Sequence, residues 1–133
     1  MNGLTVNEAH ATMFAFLERR YNRTKADDVG NMLGDMSLLP DGGTADPAIW
    51  GDWLKCVKEI KPDSENKITV TEAFAAMRLF VVKIYSWTQI AAEFSKISFS
   101  SSGEPMDKTY WPEWLECVEA AQKGNVDLRL HLK

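Results

Sequence analysis

The chain has 133 residues, 45% of them apolar and 26% charged, with a formal net charge of −4. A chain of this length buries roughly two-thirds of its unfolded surface, and this composition is globular, so intrinsic disorder is excluded. The acidic balance and the lack of a basic stripe argue against nucleic acid as a direct ligand. No apolar run approaches the ~18 residues of a membrane span. Residues 1–10 lack the basic and apolar regions of a signal peptide, so a cytoplasmic location is expected. Cys56 and Cys117 are too few for a disulfide framework and have no neighbour at metal-ligand spacing.

Thr5 and Glu8 have the spacing of a capping box, and Val6, Ala9, Met13, Phe16 and Leu17 follow at helical period, which predicts a helix over about 6–22. Thr24 suits the N-cap of a second helix, with Asp27 and Asp28 in its first turn and a stripe of Val29, Met32, Leu33 and Met36. Pro40, Asp41, Gly42 and Gly43 form a turn signal. Asp46 then reads as an N-cap with Pro47 at the first position of a third helix, about 47–60. Thr69 and Glu72 repeat the capping box and open a fourth helix over about 70–87. A short fifth helix is expected from Thr88 to about Ile97. Asp107 is the expected cap of a sixth, which runs to Lys123 with Gly124 as its stop. In the tail, Val126, Leu128, Leu130 and Leu132 alternate with polar residues, a period that suits a half-buried strand paired with 36–39 or 96–99.

Shifting the chain by 64 positions lays residues 4–24 on 68–88 with nine identities in 21 positions. A second block, Ile49 to Lys58, matches Tyr110 to Glu119 at a shift of 61. The expected fold is therefore mainly α: two tandem related three-helix units, about 4–61 and 68–123, packed as one domain, with the tail 125–133 as a candidate C-terminal β-strand.

Charge is unevenly spread. Residues 26–54 contain six aspartates, Asp27, Asp28, Asp35, Asp41, Asp46 and Asp52, and no lysine or arginine, so this stretch carries −6 and the remainder +2. A one-signed field on one part of a small domain speeds encounter with an oppositely charged partner. Asp46 is also a helix cap, Asp41 a turn residue, and Asp27 and Asp28 dipole partners, whereas Asp35 and Asp52 have no such local role and are the sharper candidates for contact. The stretch 41–46 does not fit a calcium loop, because Gly43 and Ala45 occupy ligand positions. Trp50, Trp53, Trp111 and Trp114 stand in matched pairs at core spacing. Trp87 falls opposite Arg23, which places it near the surface, as a binding aromatic or, preferentially, within the contact between the copies. His10 and His131 are isolated from any catalytic serine, cysteine or carboxylate, so no enzyme is expected.

The first copy resembles a family of small acidic bacterial immunity proteins encoded beside contact-dependent growth inhibition and polymorphic toxins. The resemblance covers about residues 4–60. It rests on Tyr21 to Thr24, the pair Asp27-Asp28, Leu33-Gly34-Asp35, Asp41-Gly42, Ala45-Asp46-Pro47 and Trp50 to Leu54. The second copy keeps the helix and the Trp-x-Glu-Trp-Leu block but departs between them. The resemblance implies an immunity protein that binds the toxic domain of a cognate effector one to one, with a basic nuclease cleft as the expected target. No cofactor, metal, membrane, direct nucleic acid or small-molecule substrate is expected. The alternative reading is an adaptor or chaperone for a secreted protein, working through an apolar groove between the copies; an enzyme acting on small cations ranks below both.

Overall fold

The computed structural model describes residues 3–39, 43–63 and 67–128. Among the described residues six helices form one compact, mainly α domain: α1 (Val6–Thr24), α2 (Asp27–Met36), α3 (Pro47–Ile60), α4 (Val70–Ile84), α5 (Gln89–Ser95) and α6 (Tyr110–Gln122). Among the described residues none of these helices is long and apolar enough to cross a membrane.

Both capping boxes form. The Thr5 hydroxyl accepts the Glu8 amide at 3.0 Å while Glu8 accepts the Thr5 amide at 2.9 Å, and Thr69 and Glu72 do the same at 3.1 and 2.7 Å. Such a box satisfies two amides that the first helical turn cannot. The boundary after α1 differs from expectation. Thr24 is not the cap of α2 but the last residue of α1, because its hydroxyl donates to the Arg20 carbonyl at 3.0 Å and Lys25 then closes the helix at φ 55°. The matched Thr88 does cap its helix, accepting the Ala91 amide at 3.1 Å. Hence α4 stops at Ile84 rather than near 87, and residues 85–88 become a turn. α5 also ends short of Ile97, at Ser95.

α3 begins as expected, with Asp46 accepting the Ala48 amide at 3.0 Å. Asp107 does not cap α6 directly. It accepts both the amide and the hydroxyl of Thr109, at 2.9 and 2.7 Å, and so closes the turn before the helix. Pro112 lies in the first turn of α6, and Gly124 leaves it at φ 73°, a conformation that favours glycine.

Sequence-matched positions make matched contacts. The buried Trp53 donates its indole N–H to the Val6 carbonyl at 3.2 Å, and Trp114 donates to Val70 at 3.2 Å. Trp50 and Trp111 are half-buried against the same core. Leu4 and Ile68 exchange backbone hydrogen bonds of 2.7 and 2.8 Å, tying the starts of α1 and α4 together. The loop bridge between Leu38 and Thr44 has its counterpart between Phe99 and Pro105.

The helix packing is crosswise. α1 lies chiefly on α6, and α4 chiefly on α3, so the third helix of each copy packs on the first helix of the other. Ion pairs follow the same seams: Arg19–Glu116 at 2.6 Å and Arg23–Glu113 at 2.7 Å join α1 to α6, and Lys83–Glu59 at 2.9 Å joins α4 to α3. No strand occurs among the described residues. The tail does approach one of its two candidate partners, where the Leu38 amide donates to the Leu128 carbonyl at 2.8 Å; residues 129–133, including His131, lie outside the described residues.

Candidate partner-binding face

Asp35 lies in the last turn of α2, Asp46 caps α3 and Asp52 sits just over one turn into α3. The Asp46 amide bonds the Asp35 carbonyl at 3.2 Å, which draws the two elements together. Into this corner the α4–α5 turn brings Tyr85, whose hydroxyl donates to Asp35 Oδ2 at 2.9 Å. Tyr85 holds its proton far more tightly than a free tyrosine. Burial is the largest cause, followed by the hydrogen bond to Asp35 and the negative charges of Asp35, Asp46 and Asp52. Three of the six aspartates therefore act on one phenol.

Asp28 has a different task. Its Oδ2 accepts the amide of Gln89, the first residue of α5, at 3.1 Å, and its Oδ1 accepts the Val29 amide at 2.8 Å. One carboxylate thus serves helix starts in both copies, where the dipole favours negative charge. Asp27 is exposed in the first turn of α2, Asp52 is half-buried, and Asp41 lies outside the described residues. Asp35, expected to lack a structural role, has one through Tyr85.

Trp87 was expected preferentially within the contact between the copies, yet its side chain stands 77% exposed, with its ring 5.6 Å from that of Tyr85. The early end of α4 explains this, because a continued helix would have carried the position on along its own axis. Sequence reasoning overlooked Tyr85 as the inner partner of the aspartates. The one available signal was the mismatch of Trp87 with Arg23.

Among the described residues, the charges on this face take part in no ion pair. Among the described residues, Glu59, Glu72, Glu93, Glu113, Glu116 and Glu119 form ion pairs, and none of Asp27, Asp28, Asp35, Asp46 and Asp52 joins one. Glu93, for example, is held by Arg20 and by the Tyr110 hydroxyl; burial works against its charge, but these hydrogen bonds keep its carboxyl below the usual range. Cys56 and Cys117 are buried beneath the two seams, and burial pushes each thiol up to about 11, which leaves little nucleophilic thiolate near neutrality. Among the described residues no three His, Cys, Asp or Glu side chains are grouped so as to hold a metal ion.

No protein-family model matches the chain, and neither a curated protein nor a solved structure is detectably similar to it.

Proposed function

We propose that the chain is a duplicated three-helix unit that acts as a cytoplasmic immunity protein. It binds, one to one, the toxic domain of a cognate effector and covers that domain's basic nuclease cleft. The observation that carries this reading is the charge of Asp27, Asp28, Asp35, Asp46 and Asp52, in no ion pair among the described residues, beside the exposed Trp87. Carboxylates neutralised in internal ion pairs would add little attraction, whereas these five, although Asp28, Asp35 and Asp46 also accept internal hydrogen bonds, still contribute negative charge toward an incoming basic surface. Asp41 adds a sixth charge to the same stretch of sequence. An exposed tryptophan on a tyrosine is the kind of aromatic anchor that dominates protein interfaces. Inhibition by occupancy requires no chemistry from this chain, so no cofactor or catalytic residue is assigned.

The direct test is to co-express the C-terminal coding region of the gene immediately upstream with and without this chain. Growth arrest that this chain relieves supports the reading; arrest that it leaves unchanged overturns it. With the purified pair, Asp27→Lys combined with Asp52→Lys is expected to slow association at least tenfold at low salt. Asp35 is left intact in that variant because its loss would also strip the Tyr85 hydroxyl of its acceptor.

A second reading, an adaptor or chaperone for a secreted protein, draws on an apolar groove lined by Leu38, Leu39, Trp50 and Leu128, which lies within the first copy and tail rather than between the copies. Groove binding would scarcely respond to salt, whereas charge-led capture slows steeply between low and physiological ionic strength.

A further inference from the structure

His10 is 1% exposed, and its Nε2 has no hydrogen-bond partner. An orphaned buried polar atom costs on the order of 1–3 kcal/mol, and natural cores seldom keep one without a use. The position matched to His10 at the shift of 64 is Phe74, which leaves no polar atom to satisfy.

The surroundings differ in the same direction. Phe74 is enclosed by Phe99 and Trp111, each 6.1 Å away between ring centres, and by Trp114 at 5.2 Å. Around His10 the matched tryptophans are present, Trp50 at 5.2 Å and Trp53 at 6.4 Å, but the counterpart of Phe99 is the smaller Leu38. A cavity of about 550 Å³ remains, lined by His10, Trp50, Leu38, Pro47 and Leu128 among others, with no charged side chain in its wall among the described residues. That volume lies within the range of small-molecule sites, which combine apolar walls with a few placed polar groups.

We propose that this cavity is a binding site for a small neutral molecule with an apolar, ring-sized body and one hydroxyl or N–H group, which hydrogen-bonds His10 Nε2. Among the described residues the wall offers no counter-charge, and an ionic ligand would lose its hydration there without compensation. Burial keeps the imidazole neutral at pH 7, with a pKa lowered to about 4, and a neutral imidazole protonated at Nδ1 accepts a hydrogen bond at Nε2. One motion is needed. Nε2 is sealed from solvent, so a side chain of the wall must shift to admit the donor, and the half-buried Trp50, its ring centre 5.2 Å from that of the imidazole, is the neighbour we assign to that motion. The proposal does not rest on the acidic face and stands whether or not the immunity reading does.

The test uses p-cresol and p-xylene as probes, two molecules of one shape of which only the first carries a hydroxyl. Protein labelled with ¹⁵N at histidine is titrated at pH 7 while the His10 imidazole resonances are followed. Saturable binding of p-cresol at least tenfold tighter than p-xylene, with a shift of the His10 Nε2 resonance, is the expected result. In His10→Phe, which places at this position the residue found in the second copy, the two probes should bind equally. Equal binding to the wild-type protein, a preference that survives in His10→Phe, or no saturable binding of either probe would overturn the proposal.

Discussion

At the shift that superposes the two loop bridges, Asp28, Asp35, Asp41 and Asp46 of the first copy fall on Gln89, Lys96, Ser102 and Asp107 of the second, and Asp52 falls on Glu113. The second copy carries much less negative charge at these positions, and Glu113 is paired with Arg23. The core contacts made by Trp53 and Trp114 are the same in both. One unit therefore serves two ends. Its framework is kept wherever a side chain faces the shared core, and its surface is free to change. In the first copy that surface keeps most of the negative charge, which the proposed function assigns to a partner; in the second, glutamates bind the chain to itself.

The comparison can be broken most forcefully at the tryptophans. Trp53→Ala and Trp114→Ala should each cost about 3–5 kcal/mol in urea unfolding, the range for large aromatics removed from a packed core. If the copies share one core, the two losses agree within ~1 kcal/mol. A far smaller loss for Trp53→Ala would show the first copy to be loosely held.

The next effect separates His10 from Phe74. His10 has its folded pKa lowered from 6.5 to about 4 by burial, so between those values the unfolded chain binds more protons than the folded one. Stability then falls as pH falls through that window, by about 3 kcal/mol at pH 4. His10→Phe should lose this part of the acid sensitivity, as read from urea midpoints at pH 7, 5.5 and 4.5. Equal acid sensitivity in the two proteins would mean that His10 is not buried neutral.

A smaller change is expected from Arg20→Met. It removes the guanidinium from Glu93 while leaving the Tyr110 hydroxyl in place. Because both partners are partly open to solvent, the loss should be about 1–2 kcal/mol. Smallest of all for the fold is Trp87→Ala, which should leave the urea midpoint unchanged given its exposure. The same variant should weaken partner binding about 30-fold or more, corresponding to the ~2 kcal/mol of an interface hot spot. A Trp87→Ala protein that unfolds early instead would make the ring part of the framework.

Local chemistry made several elements readable from sequence. Both capping boxes, the Asp46 cap with Pro47, the bounds of α3 and the Gly124 stop follow from interactions within a few residues. The failures lie where local signals conflicted. Thr24 and Thr88 match in sequence, but one bonds back into its helix and the other caps the next. Asp107 has a cap's spacing and spends its carboxylate on the turn at Thr109.

What the sequence determined by itself was the helical class, the internal repeat, the buried tryptophans and the acidity of residues 26–54, because periodicity, self-similarity and charge are properties of the chain read along its length. Tertiary structure alone decided that α1 packs on α6 and α4 on α3. It also decided that Tyr85 and Trp87, from the second copy, complete the face formed by the first. Both outcomes depend on contacts between residues dozens of positions apart. Related units present similar apolar faces, so the pattern of one helix does not say which copy's partner it will cover; the packing of the whole core makes that choice.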